Sequence, residues 1–154
     1  MLSQTERKAL NTDFYTALGL MMQGNYSATG KRIRWTNYKT GIRNVYVRME
    51  VDARKAVFCI DIQHKDEGMR QLFWEQFTEL KGLLTEALGD DLVWHEHFYK
   101  ADGTAISRIE KVLPQGSLYQ KETWPELLGF LKKQLLAFDG VWADVYDIFK
   151  ALDD

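Results

Sequence analysis

Apolar residues recur along the chain with two spacings, and the changes from one spacing to the other divide the chain into predicted elements. Steps of three and four residues are typical of helices, whereas alternation of apolar and polar residues is typical of strands. The helical spacing covers residues 5–22, 69–88 and 124–149. The alternating spacing covers residues 31–37, 45–51, 56–63, 92–100 and 105–113. The order is α-β-β-β-α-β-β-α, so we predict an α+β fold in which amphipathic helices pack on an antiparallel sheet of about five strands.

The hairpin formed by the second and third predicted strands allows its register to be predicted. If residues 52–55 form the turn, Val51 lies opposite Ala56 and Asn44 lies opposite Gln63. Because side chains alternate between the two faces of a sheet, one face is then wholly apolar and the other carries most of the charged residues. We expect helices on the apolar face and a polar, solvated surface on the other.

Composition indicates the class of protein and the cellular compartment that we expect for it. A chain of 154 residues that is 45% hydrophobic and 27% charged fits one globular domain, residues 1–154. A single cysteine, Cys59, allows no internal disulfide and suits a reducing compartment. No apolar run reaches the roughly 20 residues of a membrane span, and the N-terminus has no secretory apolar region. We therefore expect a cytoplasmic protein without a membrane segment, predict no cofactor, and leave the oligomeric state open.

Charge is distributed unevenly although the net charge is only −2. Residues 1–55 contain ten Lys and Arg against four Asp and Glu, and the excess lies between Lys31 and Lys55. A basic segment of this kind attracts phosphate groups or acidic partners. Alternatively, the acidic remainder of the chain neutralises this basic segment. The net negative charge of the whole chain favours neutralisation, because nucleic-acid-binding proteins are usually basic.

The strand order also contains the α-β-β-β-α-β core of restriction-endonuclease-like proteins. Metal-assisted cleavage of a phosphodiester needs clustered oxygen ligands for Mg²⁺ and a lysine near the attacking water. Asp61, Gln63 and Lys65 fit a Q-x-K variant of that set. However, the predicted register places Asn44, and no acid, opposite Gln63. A divergent nuclease, or a nucleic-acid-binding protein, is therefore the alternative to a solvated polar sheet face.

A second cluster lies on the later hairpin. His95 and His97 share a strand face, as zinc-binding imidazoles can. A two-residue Asp102-Gly103 loop would place Glu110 opposite His95 and complete a His₂Glu set. The same register places Arg108 opposite His97, and a guanidinium beside a metal ion is repulsive. Cross-strand surface pairs are therefore favoured over a zinc site.

Five segments resemble one uncharacterised bacterial family, domain of unknown function 4268. They are Trp-Thr-Asn-Tyr-Lys-Thr-Gly at 35–41, Ile-Gln-His-Lys-Asp at 62–66, Phe-Trp-Glu-Gln-Phe at 73–77, Ile-Ser-Arg-Ile at 106–109 and Trp-Pro-Glu-Leu at 124–127. The resemblance covers nearly the whole chain and implies one domain. Members of the family are found alone or at the C-terminal end of longer chains, which implies an accessory module. The family has no established activity that the resemblance could carry over to this chain.

The functional hypothesis follows from the basic segment and these corners of the sheet. We expect a non-catalytic binding or accessory module for an anionic ligand or an acidic protein partner. The predicted contacts are Trp35, Asn37, Tyr38, Lys39, Gln63 and Lys65. In this hypothesis the two lysines bind charge, and an exposed Trp35 or Tyr38 ring stacks on the ligand.

Overall fold

The computed structural model describes residues 1–153, and its helices and strands follow the α+β pattern. The helices are α1 (Gln4–Met22), α2 (Glu67–Glu79), α3 (Lys81–Leu88) and α4 (Trp124–Asp153). The strands are β1 (Val45–Val51), β2 (Ala56–Ile62), β3 (Val93–Tyr99) and β4 (Ala105–Leu113). No helix within the described residues is both long enough and apolar enough to cross a membrane.

The sheet is antiparallel with strand order β1-β2-β4-β3. The predicted register of the first hairpin is confirmed, because Val51 pairs with Ala56 and the N–H of Gln63 donates to the carbonyl of Asn44 at 2.7 Å. β2 is the inner strand between β1 and β4, and all seven of its residues are buried. Burial of both of its faces explains why its sequence is almost continuously apolar.

One hydrophobic cluster joins the helices to the sheet. Its buried members include Phe58 and Ile60 on β2, Leu84 on α3, and Leu131 and Phe138 on α4. The predicted packing of helices on the apolar face of the sheet is confirmed by these residues, and half-buried Leu80 packs against the same cluster. α4 is the long element that spans this core, with an apolar stripe from Leu127 to Phe149.

The first predicted strand, residues 31–37, is wrong, and the sheet has four strands instead of about five. Trp35–Asn37 forms a 3₁₀ turn. The outer edge of β1, where another strand would pair, is instead contacted by two hydroxyl groups. Tyr15 donates to the carbonyl of Met49 at 3.2 Å, and Thr40 donates to the carbonyl of Val45 at 2.7 Å. The alternation in this segment reflects burial of Trp35 in the helical layer and not pairing in a sheet.

The single helix predicted over residues 69–88 is two helices that meet at Leu80. Leu80 has φ −96° and ψ 12°, which are not helical values, and it is both the C-cap of α2 and the N-cap of α3. Leu72 and Leu83, which the continuous stripe would bury, are 40% and 47% exposed.

The register predicted for the second hairpin is also wrong. The loop has three residues, 101–103, because the N–H of Lys100 donates to the carbonyl of Thr104, and β3 contains an irregularity between His95 and Phe98. Each feature shifts the pairing by one residue, so His95 pairs with Arg108 in place of Glu110. Because the two shifts add up to two residues at His95, this residue keeps its predicted face, whereas Phe98 and Tyr99, next to the loop, are displaced by one residue.

The start of α4 is held by contacts with the loop that precedes it. Thr123 ends a 3₁₀ turn, Lys121–Thr123, and its hydroxyl accepts from the N–H of Ser117 and donates to the carbonyl of Ser117 or Gln120. The Glu126 side chain accepts a hydrogen bond from Gln115. Thr123 therefore fixes the preceding loop to the start of the helix.

Candidate functional site

A cleft of about 730 Å³ lies between the segment 27–40 and the C-terminal half of α4. We call it the basic cleft. The segment contributes residues from Ser27 to Thr40, and α4 contributes Asp139, Trp142, Ala143 and Tyr146. A volume of 300–1,000 Å³ is typical of small-molecule sites.

Asp139 holds the two walls of the basic cleft together. Its carboxylate is 4% exposed and accepts hydrogen bonds from the Tyr38 hydroxyl at 2.7 Å, the Ala28 N–H at 2.7 Å and the Ser27 hydroxyl at 3.0 Å. Three donors satisfy a buried negative charge that would otherwise be very unfavourable. Burial and the neighbouring Asp139 carboxylate both raise the pKa of Tyr38, so its hydroxyl keeps its proton and remains a donor.

Three cationic side chains lie in the same lining as Asp139. Lys31, Arg34 and Lys39 all line the basic cleft and are exposed. Within residues 1–153, none of the three is in an ion pair with a carboxylate. Because three exposed cations accompany one buried carboxylate, the lining presents an excess of positive charge to solvent.

The α4 wall is aromatic and rigid. The Trp142 indole N–H donates to the carbonyl of Thr40 at 2.8 Å, and its ring stacks on Phe138 with centroids 5.4 Å apart. Tyr146 packs edge-on against Trp142 and closely against Gly41, where an added Cβ would lie 3.0 Å from the Tyr146 ring. Gly41 has φ +77°, a conformation that disfavours any other residue. These contacts fix both rings before any ligand enters.

The ligand contacts predicted from sequence lie in different places. Asn37, Tyr38 and Lys39 line the basic cleft. Trp35 is not the exposed ring that we expected, because it is 3% exposed and its indole N–H donates to the carbonyl of Asn25. Gln63 and Lys65 do not line this cleft.

Lys65 instead lines a smaller depression of about 260 Å³ at the start of α2. Arg43, His64, Asp66 and Asp153 also line it. His64 is 7% exposed, its ring packs at a tilt against Phe73 with the ring centroids 4.3 Å apart, and burial lowers its pKa. The exposed charged residues of this depression have both signs, whereas those that line the basic cleft are all cationic.

Of the residues of the nuclease alternative, Asp61 lies on the sheet face opposite the helices, whereas Gln63 and Lys65 follow the end of β2. The Asp61 carboxylate, 2% exposed, is bound by Arg108 through two hydrogen bonds of 2.8 and 3.0 Å. The same guanidinium also contacts Glu50 at 3.3 Å. Burial lowers the pKa of Arg108, but the contact with Asp61 outweighs it and the net shift is upward. This face is closed at its centre by a buried ion pair, where we had expected a solvated surface.

The residues of the zinc alternative are divided between two contacts. His95 Nε2 lies 2.6 Å from Glu110 Oε1, although the two residues are not register partners. His97 Nε2 lies 3.0 Å from Glu96 Oε2. Across residues 1–153, no group of three or more His, Cys, Asp or Glu side chains is arranged to hold a metal ion.

Sequence reasoning did not identify the α4 side of the cleft. Asp139, Trp142 and Tyr146 are about one hundred residues from Tyr38 in the chain, and no local pattern pairs them. One signal was present, because Asp139 interrupts the apolar stripe between Phe138 and Trp142. A carboxylate in such a stripe must be buried, and it therefore needs donors from elsewhere.

The four-stranded antiparallel sheet, its helical layer and the basic cleft define an α+β protein with a preformed pocket at the side of its longest helix. The chain belongs to the family described as "domain of unknown function (DUF4268)", whose model matches residues 10–146. That match confirms the resemblance and includes both walls of the cleft. No curated protein and no solved structure matches the chain.

Proposed function

We propose that the protein is a cytoplasmic, non-catalytic binding module that takes a small anionic ligand in the basic cleft. The observation that carries the proposal is the set of three exposed cations, Lys31, Arg34 and Lys39, around a concave site with no unbound carboxylate. Exposed cations on a convex surface are usually solvated and have no partner. Cations that converge on a pocket of ligand size favour a bound anion.

The concave shape favours a small molecule over the acidic surface of a protein partner. An acidic protein would meet the rim of a cleft but would leave most of its volume unfilled. The fixed walls support the same choice, because Asp139, Thr40 and Gly41 hold the cleft in shape without a ligand. Such preorganisation reduces the entropy lost on binding.

The non-catalytic part of the proposal rests on the state of the polar groups in the cleft. A general base must be able to reach a substrate proton. Asp139 is the carboxylate of the lining, and its oxygens are occupied by Tyr38, Ser27 and the Ala28 N–H. Tyr38 carries a raised pKa and is a poor base.

The restriction-endonuclease-like alternative remains a prediction about the opposite sheet face. It requires Asp61 to exchange its hydrogen bonds with Arg108 for a metal ion, and Lys65 to approach the same site. We expect purified protein with Mg²⁺ or Mn²⁺ to leave DNA and RNA intact. Cleavage that disappears in Asp61→Ala and Lys65→Ala variants would favour the nuclease over the binding module.

The experiment for the binding module is calorimetric titration with phosphate, pyrophosphate and citrate, with polyglutamate as a mimic of an acidic protein. The test variant is Lys31→Ala/Arg34→Ala/Lys39→Ala. Its matched control is Lys8→Ala/Arg54→Ala/Lys55→Ala, which removes three exposed cations that lie outside the cleft.

We expect a small anion to bind wild type and the control variant, and to lose at least about tenfold in affinity with the test variant. Binding should weaken as NaCl rises from about 50 to about 200 mM, because exposed charges are screened over about 8–10 Å at physiological ionic strength. Equal binding by the two triple variants would place the anion elsewhere. Binding of polyglutamate alone would favour a protein partner.

A further inference from the structure

We infer that the anionic ligand of the basic cleft is a nucleotide, with its phosphate on the cations of segment 27–40 and its base against the aromatic α4 wall. This inference rests on the proposed function and adds the chemical class of the ligand. The observation behind it is that charge and aromatic surface occupy opposite walls of one cleft.

Size is the first argument. A single phosphate or sulfate ion fills only a small part of about 730 Å³, so the volume is suited to a ligand with a second part. A nucleoside monophosphate is a ligand of the appropriate size, and it combines a charged end with a flat one.

The charged end fits the wall of segment 27–40. Arg34 can donate two parallel hydrogen bonds to a phosphate, and Lys31 and Lys39 add point charges. A phosphate monoester carries nearly two negative charges at neutral pH. Three cations therefore attract it more strongly than they attract a single carboxylate, which carries one.

The flat end fits the wall of α4. Tyr146 is half-buried and is held against Gly41, and Trp142, which is only 4% exposed, packs behind it. A planar ring can therefore pack on the Tyr146 ring without ordering it first. Stacking of a base on an aromatic side chain contributes about tenfold in affinity or more. Ile33 lies in the same lining and offers an apolar edge to the ring.

Two polar groups are available to contact the edge of a base. The exposed Asn37 side-chain amide and the Tyr146 hydroxyl make no hydrogen bond within residues 1–153. An amide offers both a donor and an acceptor, as a base edge does, and a hydroxyl can serve as either. Neither group is needed to bind an inorganic anion.

The test compares AMP with its two halves, adenosine and ribose 5-phosphate, by calorimetry on the full chain. GMP, CMP and UMP are included to cover other bases, and an unphosphorylated single-stranded oligonucleotide covers nucleic acid. We expect a nucleoside monophosphate to bind at least about tenfold more tightly than ribose 5-phosphate or the free nucleoside. The Lys31→Ala/Arg34→Ala/Lys39→Ala variant should lose that binding.

A Tyr146→Leu variant tests the aromatic wall separately. It should bind ribose 5-phosphate as wild type does and should lose most of the additional affinity for the nucleotide. Tyr146→Phe, which keeps the ring, should retain it. If Tyr146→Leu does not fold, the comparison of ligands on wild type decides alone.

The outcomes separate this inference from the proposed function. Ribose 5-phosphate that binds as tightly as every nucleotide, with dependence on the three cations, would leave the anion site in place and overturn the nucleotide inference. A nucleotide that binds the triple variant as well as wild type would overturn both. An oligonucleotide that binds while no mononucleotide does would overturn the free nucleotide as the ligand and identify a nucleic-acid strand.

Discussion

Asp139 is the residue whose contacts most directly shape the cleft. Asp139→Ala would leave the Ser27 and Tyr38 hydroxyls and the Ala28 N–H without their acceptor. Since a hydrogen bond to a charged group contributes about 1.5–3 kcal/mol, we expect a loss of about 3 kcal/mol in the free energy of unfolding. Asp144→Ala, which removes an exposed carboxylate from the same helix, should change it by less than about 0.5 kcal/mol. Urea denaturation measures both, and equal effects would contradict the anchoring role of Asp139.

The ion pair of Asp61 and Arg108 makes a different prediction, because both partners are buried. Arg108→Ala would leave the Asp61 carboxylate uncompensated, and we expect a loss of about 3–5 kcal/mol in stability. The double variant Asp61→Leu/Arg108→Met should be much closer to wild type, since an apolar pair leaves no charge unpaired. Arg48→Ala, an exposed arginine that lies over the Tyr46 ring on the same face, is the control. Additive losses in the double-mutant cycle would show that the two side chains do not interact.

His64 predicts how stability depends on pH. Burial lowers its pKa below the ordinary value of 6.5, so the folded state binds a proton less readily than the unfolded chain does. The neutral ring is fully compatible with folding above pH 6.5, and stability should fall as pH falls through 6.5 and the unfolded chain takes up the proton. His64→Gln should show a flatter decline of stability between about pH 7 and pH 5, whereas His97→Gln, at an exposed position, should keep the wild-type slope. Identical slopes for all three proteins would contradict the burial of His64.

At the scale of elements, the break at Leu80 decides which residues of α2 and α3 stabilise the protein. Phe77 is 1% exposed and packs against Phe149 at 4.3 Å, so Phe77→Ala should lower the free energy of unfolding by about 3–5 kcal/mol. Leu72→Ala and Leu83→Ala should each lower it by less than about 1 kcal/mol, because both side chains are exposed. Thermal melts of the three variants would test the break. Large losses at Leu72 and Leu83 would indicate one continuous helix.

Elements were predictable where the local pattern and the tertiary environment agree. The first hairpin, Val45–Ile62, was predicted to the residue because its turn is short and one face must be buried. Residues 31–37 alternate in the same way, yet hydroxyl groups of Tyr15 and Thr40 contact the strand edge that the segment would have used. The pattern of apolar residues records burial, and it does not record whether a sheet or a helix covers the residue.

At the scale of the whole molecule, the functional site was only half predictable. The sequence places Asn37, Tyr38 and Lys39 together because they are neighbours in the chain. Their partners on α4 come from a region about one hundred residues later, and the packing of α4 on the sheet decides which of its residues meet the segment. Gln63 and Lys65 were assigned to the same site because Tyr38 precedes the strand that pairs with Gln63. That pairing is present, but neither residue lines the basic cleft.

The most direct test of the binding site uses the Trp indole N–H signals in ¹⁵N-correlated NMR spectra. The five indoles report on separate places in the protein, and Trp142 lines the basic cleft whereas Trp94 lies on β3. Titration with pyrophosphate at low salt should shift the Trp142 indole and the backbone amides of segment 27–40, should leave Trp94 in place, and should be reversed by added NaCl. No shift at Trp142, or shifts centred on Trp94 and the Arg108 face, would contradict an anion site between the segment and α4.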